Sequence, residues 1–242
     1  MKEYAKQLAR RKSVRKYDES LSVSAEEMRK IQQQIPLLKS LCDGIKVEIE
    51  ITERKNTNCK WNAQYCVLCY SEEKPRWREN AGYMLEQLDL FLASLDIGCC
   101  WYGWGKCPQE KEGMKFAIMM CFGKCRKEDF RTKKDEFLRN GVEKMYKGLH
   151  GEELSDAFLA PSACNSQPWR VEQTDNVIKV FRLKSTLNPL SRVLAAHFNK
   201  IDMGIFLVFL ETVLEEKSIE FCRETVKERK ENPELVAVYT LR

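Results

Sequence analysis

The sequence predicts an α+β fold made of two similar units, and three observations predict it. Short strand-type runs are separated by two long apolar helical stretches, residues 76–95 and 194–216,. Strand-type runs flank each of those stretches in the same order, the pattern of a mixed rather than an alternating fold. Finally, an offset of 122 residues lays Gly82 on Gly204, Leu85 on Leu207, Leu88 on Leu210, Leu92 on Leu214 and Ile97 on Ile219. That offset is about half of the 242 residues, and a shift of 125, from Pro36 to Pro161, aligns the ends of the preceding helices. We read an internal duplication, with repeats at 1–134 and 135–242 packed as the two subunits of a homodimer would be,.

Residues 3–12 read as a short helix with Tyr4 and Leu8 on one face,. Ser22 or Ser24 caps a second helix, with Glu26 and Glu27 in its first turn and Met28, Ile31 and Ile35 inward, until Pro36 stops it,. Residues 45–51 alternate Ile45, Val47, Ile49 and Ile51 with charged or polar neighbours, a half-exposed strand, whereas 64–70 is apolar enough for a central one,. The helix at 76–95 carries Tyr83, Leu85, Leu88, Phe91, Leu92 and Leu95, too broad a face for one stripe, so it is buried on more than one side,. Residues 96–105, with Gly98, Gly103, Gly105, Trp101 and Trp104, read as a loop, and 115–123 as a buried strand. The second half begins with helical segments at 135–147 and 151–159 and strands at 169–173 and 177–182 turning at Asp175-Asn176,. The helix at 194–216 and a strand at 235–241 complete it.

With 43% hydrophobic and 32% charged residues the chain belongs among globular proteins, and no apolar run is long enough to span a bilayer,. The segment after Met1 lacks the apolar core of a signal peptide, which predicts a cytoplasmic protein,. Eleven cysteines, an odd number, predict buried reduced thiols rather than a disulfide framework,. The pair Cys66 and Cys69 has zinc-like spacing, but it sits in an apolar run with no second matching pair, so no metal site is predicted,. The net charge of +5 gathers at residues 10–16 and 124–134. A solvated face is the ordinary reading of such runs, and no groove-reading or RNA-stacking motif accompanies them, so nucleic acid is not a predicted partner.

Three stretches carry ligand-binding chemistry. Residues 159–169 hold two prolines, small side chains, Ser162, Asn165, Gln167 and Trp169, a loop whose backbone can approach a flat ligand,. In 11–17, cations alternate around Ser13, a pattern that suits a phosphate and equally suits a basic helix end,. In 98–105, glycines admit close approach and tryptophans exclude water,. His150 and His197 stand apart, His197 as a core or cap residue, and no side chain presents itself as a catalytic nucleophile or acid. A Gly-x-Gly-x-x-Gly fingerprint is absent, against FAD or a dedicated NAD domain,.

Taken together, residues 11–17, 80–83, 98–103, 131–134 and 160–169 resemble the flavin-dependent nitroreductase superfamily, in particular its fused subgroup in which one chain mimics a dimer. The resemblance implies a nitroreductase-like α+β fold in which a monomer acts as a pseudo-dimer and holds FMN between its repeats. Arg11, Lys12, Ser13 and Arg15, joined by Arg131 and Lys133, would grip the phosphate and ribityl end. Tyr102 and Gly103 would offer backbone N–H groups to the flavin N5 and O4 edge,. Pro161, Ser162 and Ala163 would pack on the ring, with Asn165 and Gln167 supporting that loop. The place aligned with Pro161 in the first repeat, residues 36–43, has no Asn, Gln or Trp, and the second repeat has no Trp-Tyr-Gly after Ile219, so one FMN per chain is implied. The implied activity is NAD(P)H-dependent reduction of the flavin and then of a small aromatic, nitro or quinone-like acceptor. A non-catalytic flavin store or redox sensor is the alternative, and a flavin-free module binding an anionic partner is a third reading.

Overall fold

A computed structural model describes residues 1–183 and 189–242. After a 3-10 turn at Lys2–Tyr4, helix α1 (Ala5–Arg10) buries Leu8. Helix α2 (Ala25–Gln34) starts at Ser24, whose Oγ accepts from Glu27 N at 3.2 Å while Ser24 N donates to Glu27 Oε2 at 2.9 Å,. It buries Ile31 and gives way to a 3-10 turn containing Pro36. Strands β1 (Val47–Glu53) and β2 (Tyr65–Ser71) precede helix α3 (Trp77–Ser94), and β3 (Ile97–Tyr102) and β4 (Lys115–Lys124) follow it. These strands form one antiparallel sheet in the order β1-β2-β4-β3, with the apolar β2 inside and the alternating β1 at an edge.

The second half repeats that plan. One-turn helix α4 (Val142–Met145) leads into β5 (Tyr146–Lys147), then β6 (Trp169–Thr174) and β7 (Val177–Arg182) precede helix α5 (Pro189–Glu216). Strands β8 (Phe221–Thr225) and β9 (Glu234–Leu241) follow, and the sheet runs β5-β6-β7-β9-β8. Apart from the added β5, which is parallel to β6, its order and antiparallel pairing match the first sheet. Both sheets shift register between their second and fourth strands, at Cys69/Tyr70 and at Val180/Phe181.

Helices α3 and α5 lie backbone to backbone at the centre. A Cβ on Gly82 would sit 2.1 Å from the Ile201 carbonyl oxygen, and one on Gly204 would sit 1.9 Å from that of Glu79. Glu79 and Ile201 are themselves 122 residues apart, so the contact is reciprocal under the offset that relates the glycines. Around this crossing, Arg76 bonds Glu79 at 2.9 Å and Glu234 at 2.7 Å, and Tyr83 and Tyr239 donate to Glu211 at 2.6 and 2.8 Å. Each of these buried carboxylates thereby has at least one oxygen paired,.

Several sequence expectations are corrected. Residues 97–102 are an edge strand rather than a loop, registered on β4 from Ile97↔Lys124 to Tyr102↔Met119. Gly98 serves packing there, since a Cβ would approach Cys125 Sγ to 2.8 Å and Val14 to 3.0 Å,. The helix expected at 135–147 is reduced to a 3-10 turn at Lys134–Glu136 and one α-helical turn after Gly141, because this stretch turns inward only scattered apolar residues, Phe137, Val142, Met145 and Tyr146, and has no continuous apolar face. Of the helix expected at 151–159, a 3-10 turn at Ser155–Leu159 remains. Strand β8 went unread: its residues alternate between half-buried and exposed, and pairing with β9 supplies its stability. No helix among the described residues is long and apolar enough to cross a membrane.

Candidate functional site

A cavity of about 310 Å³ lies where the two halves meet, within the range of small-molecule sites,. Ser13, Arg15, Trp61, residues 100–104 and Ile118 line it from the first half, and Pro161 to Cys164 with Phe198, Ile201, Asp202 and Ile205 of α5 line it from the second. Local structure explains how each segment arrives. Val14 N donates to Cys99 O at 3.0 Å, a parallel bridge that lays the N-terminal segment along β3. Strand β3 then ends at Tyr102, whose ring meets Trp61 edge-on at 4.7 Å,. The loop that begins at Pro161 is anchored to α5: Ala163 N donates to Asp202 Oδ1 at 3.0 Å and Ser166 Oγ to Asn199 Oδ1 at 3.0 Å. Within it, Gln167 N donates to Ser162 Oγ at 2.9 Å, and Cys164, Asn165 and Gln167 adopt positive φ of 52°, 53° and 46°. Such backbone is uncommon for residues with a Cβ and persists where surrounding contacts hold it.

The structure brings Ser13, Arg15, Tyr102, Gly103, Pro161, Ser162 and Ala163 to one cavity, as the sequence grouped them. The other candidates lie outside this lining. Arg11 is 1% exposed and does not line the cavity; its Nε lies 3.1 Å from Asp89 and 3.9 Å from Glu86. Its charge is therefore engaged inside the protein, while its Nη2 reaches Ser13 Oγ at 3.5 Å. Lys12 and Lys133 are exposed and outside the lining. Arg131 donates to the Arg11 carbonyl and covers the Phe137 ring at 3.9 Å. Asn165 is exposed, donating to Leu138 O at 2.7 Å, and Gln167 is buried, accepting from Asn140 N at 2.9 Å, so both hold the loop rather than face the cavity. His197, expected in the core or as a cap, is exposed with its ring edge-on to Phe198.

Sequence reasoning missed Arg139, Asp202, Trp61 and Phe198. Arg139 donates to Asn165 Oδ1 at 2.8 Å and Leu159 O at 3.1 Å, and so clamps the loop from the stretch misread as helix. Burial and the repulsion of Arg11 lower both Arg131 and Arg139 to about 10,. Neither forms an ion pair among the described residues, and the Nε of each is buried without a hydrogen-bond partner. Two guanidiniums with orphaned donors and no carboxylate partner among the described residues, Arg131 and Arg139, suit an anion,. Asp202 was legible as an acid within an apolar helical run; burial pushes its carboxyl well above the usual carboxylate range. An aromatic and aliphatic slot closed by a cationic end is thus the chemistry on offer.

One solved structure shares this architecture over nearly the whole chain. The structure described as a "putative nitroreductase" from Thermotoga maritima superposes with a TM-score of 0.65 at 19% identity, covering 98% of this chain and 92% of that one. A nitroreductase family protein from Clostridium difficile gives a TM-score of 0.48 at 10% identity, over 58% of this chain and 94% of its own. A structure described as a "putative nitroreductase" in complex with FMN, from Desulfovibrio desulfuricans, gives 0.39 at 13% identity, over 58% of this chain and 96% of its own. No curated protein matches. The fold is therefore nitroreductase-like, α+β with two sheets, and a family model described as "Putative TM nitroreductase" matches residues 3–213. The chain belongs to that nitroreductase family.

Proposed function

We propose that the chain is an FMN-dependent oxidoreductase that takes electrons from NAD(P)H and passes them to a small aromatic, nitro or quinone-like acceptor. The observation that carries this reading is the convergence on one cavity of Ser13 and Arg15, Tyr102 and Gly103, and Pro161 to Ala163, three segments far apart in the chain. The fit to FMN rests on a slot lined by Trp61, Phe198, Ile201 and Ile205 together with Ser13 and Arg15, and on the orphaned Nε atoms of Arg131 and Arg139, two cations without a carboxylate partner among the described residues. FMN, when bound, would supply a flat redox ring that accepts and returns hydride. Ser13 and Arg15 would hold its phosphate and ribityl end, with Arg131 and Arg139 adding a positive field, while Arg11 stays paired with Asp89 and Glu86. Tyr102 and Gly103 would direct backbone N–H groups at the ring edge, where negative charge develops on reduction. Asp202 would act on the loop, keeping Ala163 in place.

The rim favours turnover over storage. Trp104 is 69% exposed at the cavity, so an acceptor or nicotinamide has an aromatic face on which to stack. The two halves are proposed to be repeats of one unit forming a pseudo-dimer, with boundaries near 134 and 135. Their common strand order and the reciprocal Gly82 and Gly204 contacts support that reading. In the test, apoprotein titrated with FMN develops the bands of bound flavin, and NADH or NADPH bleaches them faster than it bleaches free FMN. Absence of binding refutes the site, and binding without accelerated bleaching refutes the enzyme and leaves the store.

A further inference from the structure

Three cysteines far apart in sequence turn their sulfurs toward one another beside this cavity. Cys66 and Cys121 are directly opposed on β2 and β4, and Cys59 enters from the connection before β2. Their Sγ atoms all lie within 4.8 Å, with Cys121 at 3.2 Å from Cys59 and 3.7 Å from Cys66. All three residues are buried. The Cys66-x-x-Cys69 spacing is not what makes the group, because residues three apart on a strand face opposite sides of the sheet. Cys69 accordingly packs in the other core cluster, away from Cys59 and Cys121.

We propose that Cys59, Cys66 and Cys121 form a three-sulfur site for the cuprous ion. An all-sulfur donor set selects soft cations. No fourth cysteine, histidine or carboxylate joins the group among the described residues, and burial denies it a solvent ligand. Structural zinc takes four ligands and catalytic zinc keeps an open position, so neither describes this cluster. Geometry agrees: a metal–sulfur bond of about 2.3 Å puts three sulfurs of a trigonal plane about 4.0 Å apart. The observed separations of 3.2 and 3.7 Å, and the limit of 4.8 Å, bracket that value. Thr57 supports the arrangement, its Oγ1 lying 3.5 Å from Cys66 Sγ and accepting from Cys59 N at 3.2 Å, so one side chain steadies two ligands,. Each sulfur that ligates as thiolate releases its proton, and copper enters and stays as Cu(I), so no oxidant is required.

The ion would also clip the segment carrying Trp61 to the sheet, next to the cavity wall. The proposal stands independently of the flavin. Its test uses the full chain with the exposed Cys107, Cys164 and Cys222 replaced by serine. Under anaerobic conditions, this protein should withdraw one equivalent of Cu(I) from its bicinchoninate complex, and X-ray absorption should give a first shell of three sulfurs. Cys66→Ala should weaken uptake about 100-fold or more, beyond what loss of a merely supporting group costs. Cys69→Ala should leave it unchanged, with circular dichroism confirming that both variants fold. No transfer to the folded protein, a first shell containing nitrogen or oxygen, preferential uptake of Zn(II), or a two-dalton mass deficit locating a Cys59–Cys121 disulfide in the purified chain would each overturn it. The absorption measurement on the unsubstituted cluster decides the matter even if Cys66→Ala does not fold.

Discussion

Arg11 and Arg15 are four residues apart and look interchangeable in the sequence, yet they occupy opposite environments. Arg15 is exposed at the cavity, so Arg15→Ala should weaken FMN binding by about tenfold, the loss of one charge-assisted contact of about 1.5 kcal/mol, measured by flavin titration,. Arg11→Ala should act on the fold instead: it strands Asp89 and Glu86 without their cation, a loss of about 3–5 kcal/mol measured by chemical denaturation,. Glu234 offers a pH test. Burial alone would raise its carboxyl, but the hydrogen bond from Arg182 and the charges of Arg76 and Arg182 outweigh burial and hold it below the ordinary 4.5. A depressed carboxylate contributes stability that is present above its unfolded value and lost as pH falls through the folded one. Glu234→Gln should therefore be about 3–5 kcal/mol less stable near pH 7 and show a shallower loss of stability below about pH 4.5, read from denaturation series across pH.

At the scale of elements, the crossing of α3 and α5 sets the distance between the two sheets. Gly82→Ala or Gly204→Ala would drive a methyl group into a carbonyl oxygen of the facing helix, with backbone rather than a flexible side chain in the way. The helices must separate, and the expected cost exceeds the roughly 1–3 kcal/mol of ordinary overpacking, seen as a fall in thermal midpoint or loss of soluble protein. Both long helices were legible because they bury nearly their whole circumference and so carry apolar residues well beyond one stripe. β3 was not, because its glycine, cysteines and tryptophan look like a ligand loop until β4 is known to lie beside it. The same holds for residues 135–147: a charged stretch with scattered apolar residues has helical propensity, and only the tertiary bonds of Arg139 to Asn165 and Leu159 show why it is not one continuous helix,.

For the whole molecule, the site is assembled from one part of each half: residues between Ser13 and Ile118 from the first, between Pro161 and Ile205 from the second. If each half retained one part, apoprotein should saturate near one FMN per chain, and two equivalents would refute the half-site arrangement. The amino-acid sequence by itself determined the order of most strands and both long helices, the 122-residue offset, and the identity of seven cavity residues, because periodicity, caps and small-residue loops are local properties. Tertiary structure alone decided which charges are available and which are internally neutralised, why Gly82 and Gly204 must be glycine, and that three scattered cysteines meet. Those outcomes depend on distances between residues remote in the chain, and a Coulomb or steric energy is fixed only once that distance is known.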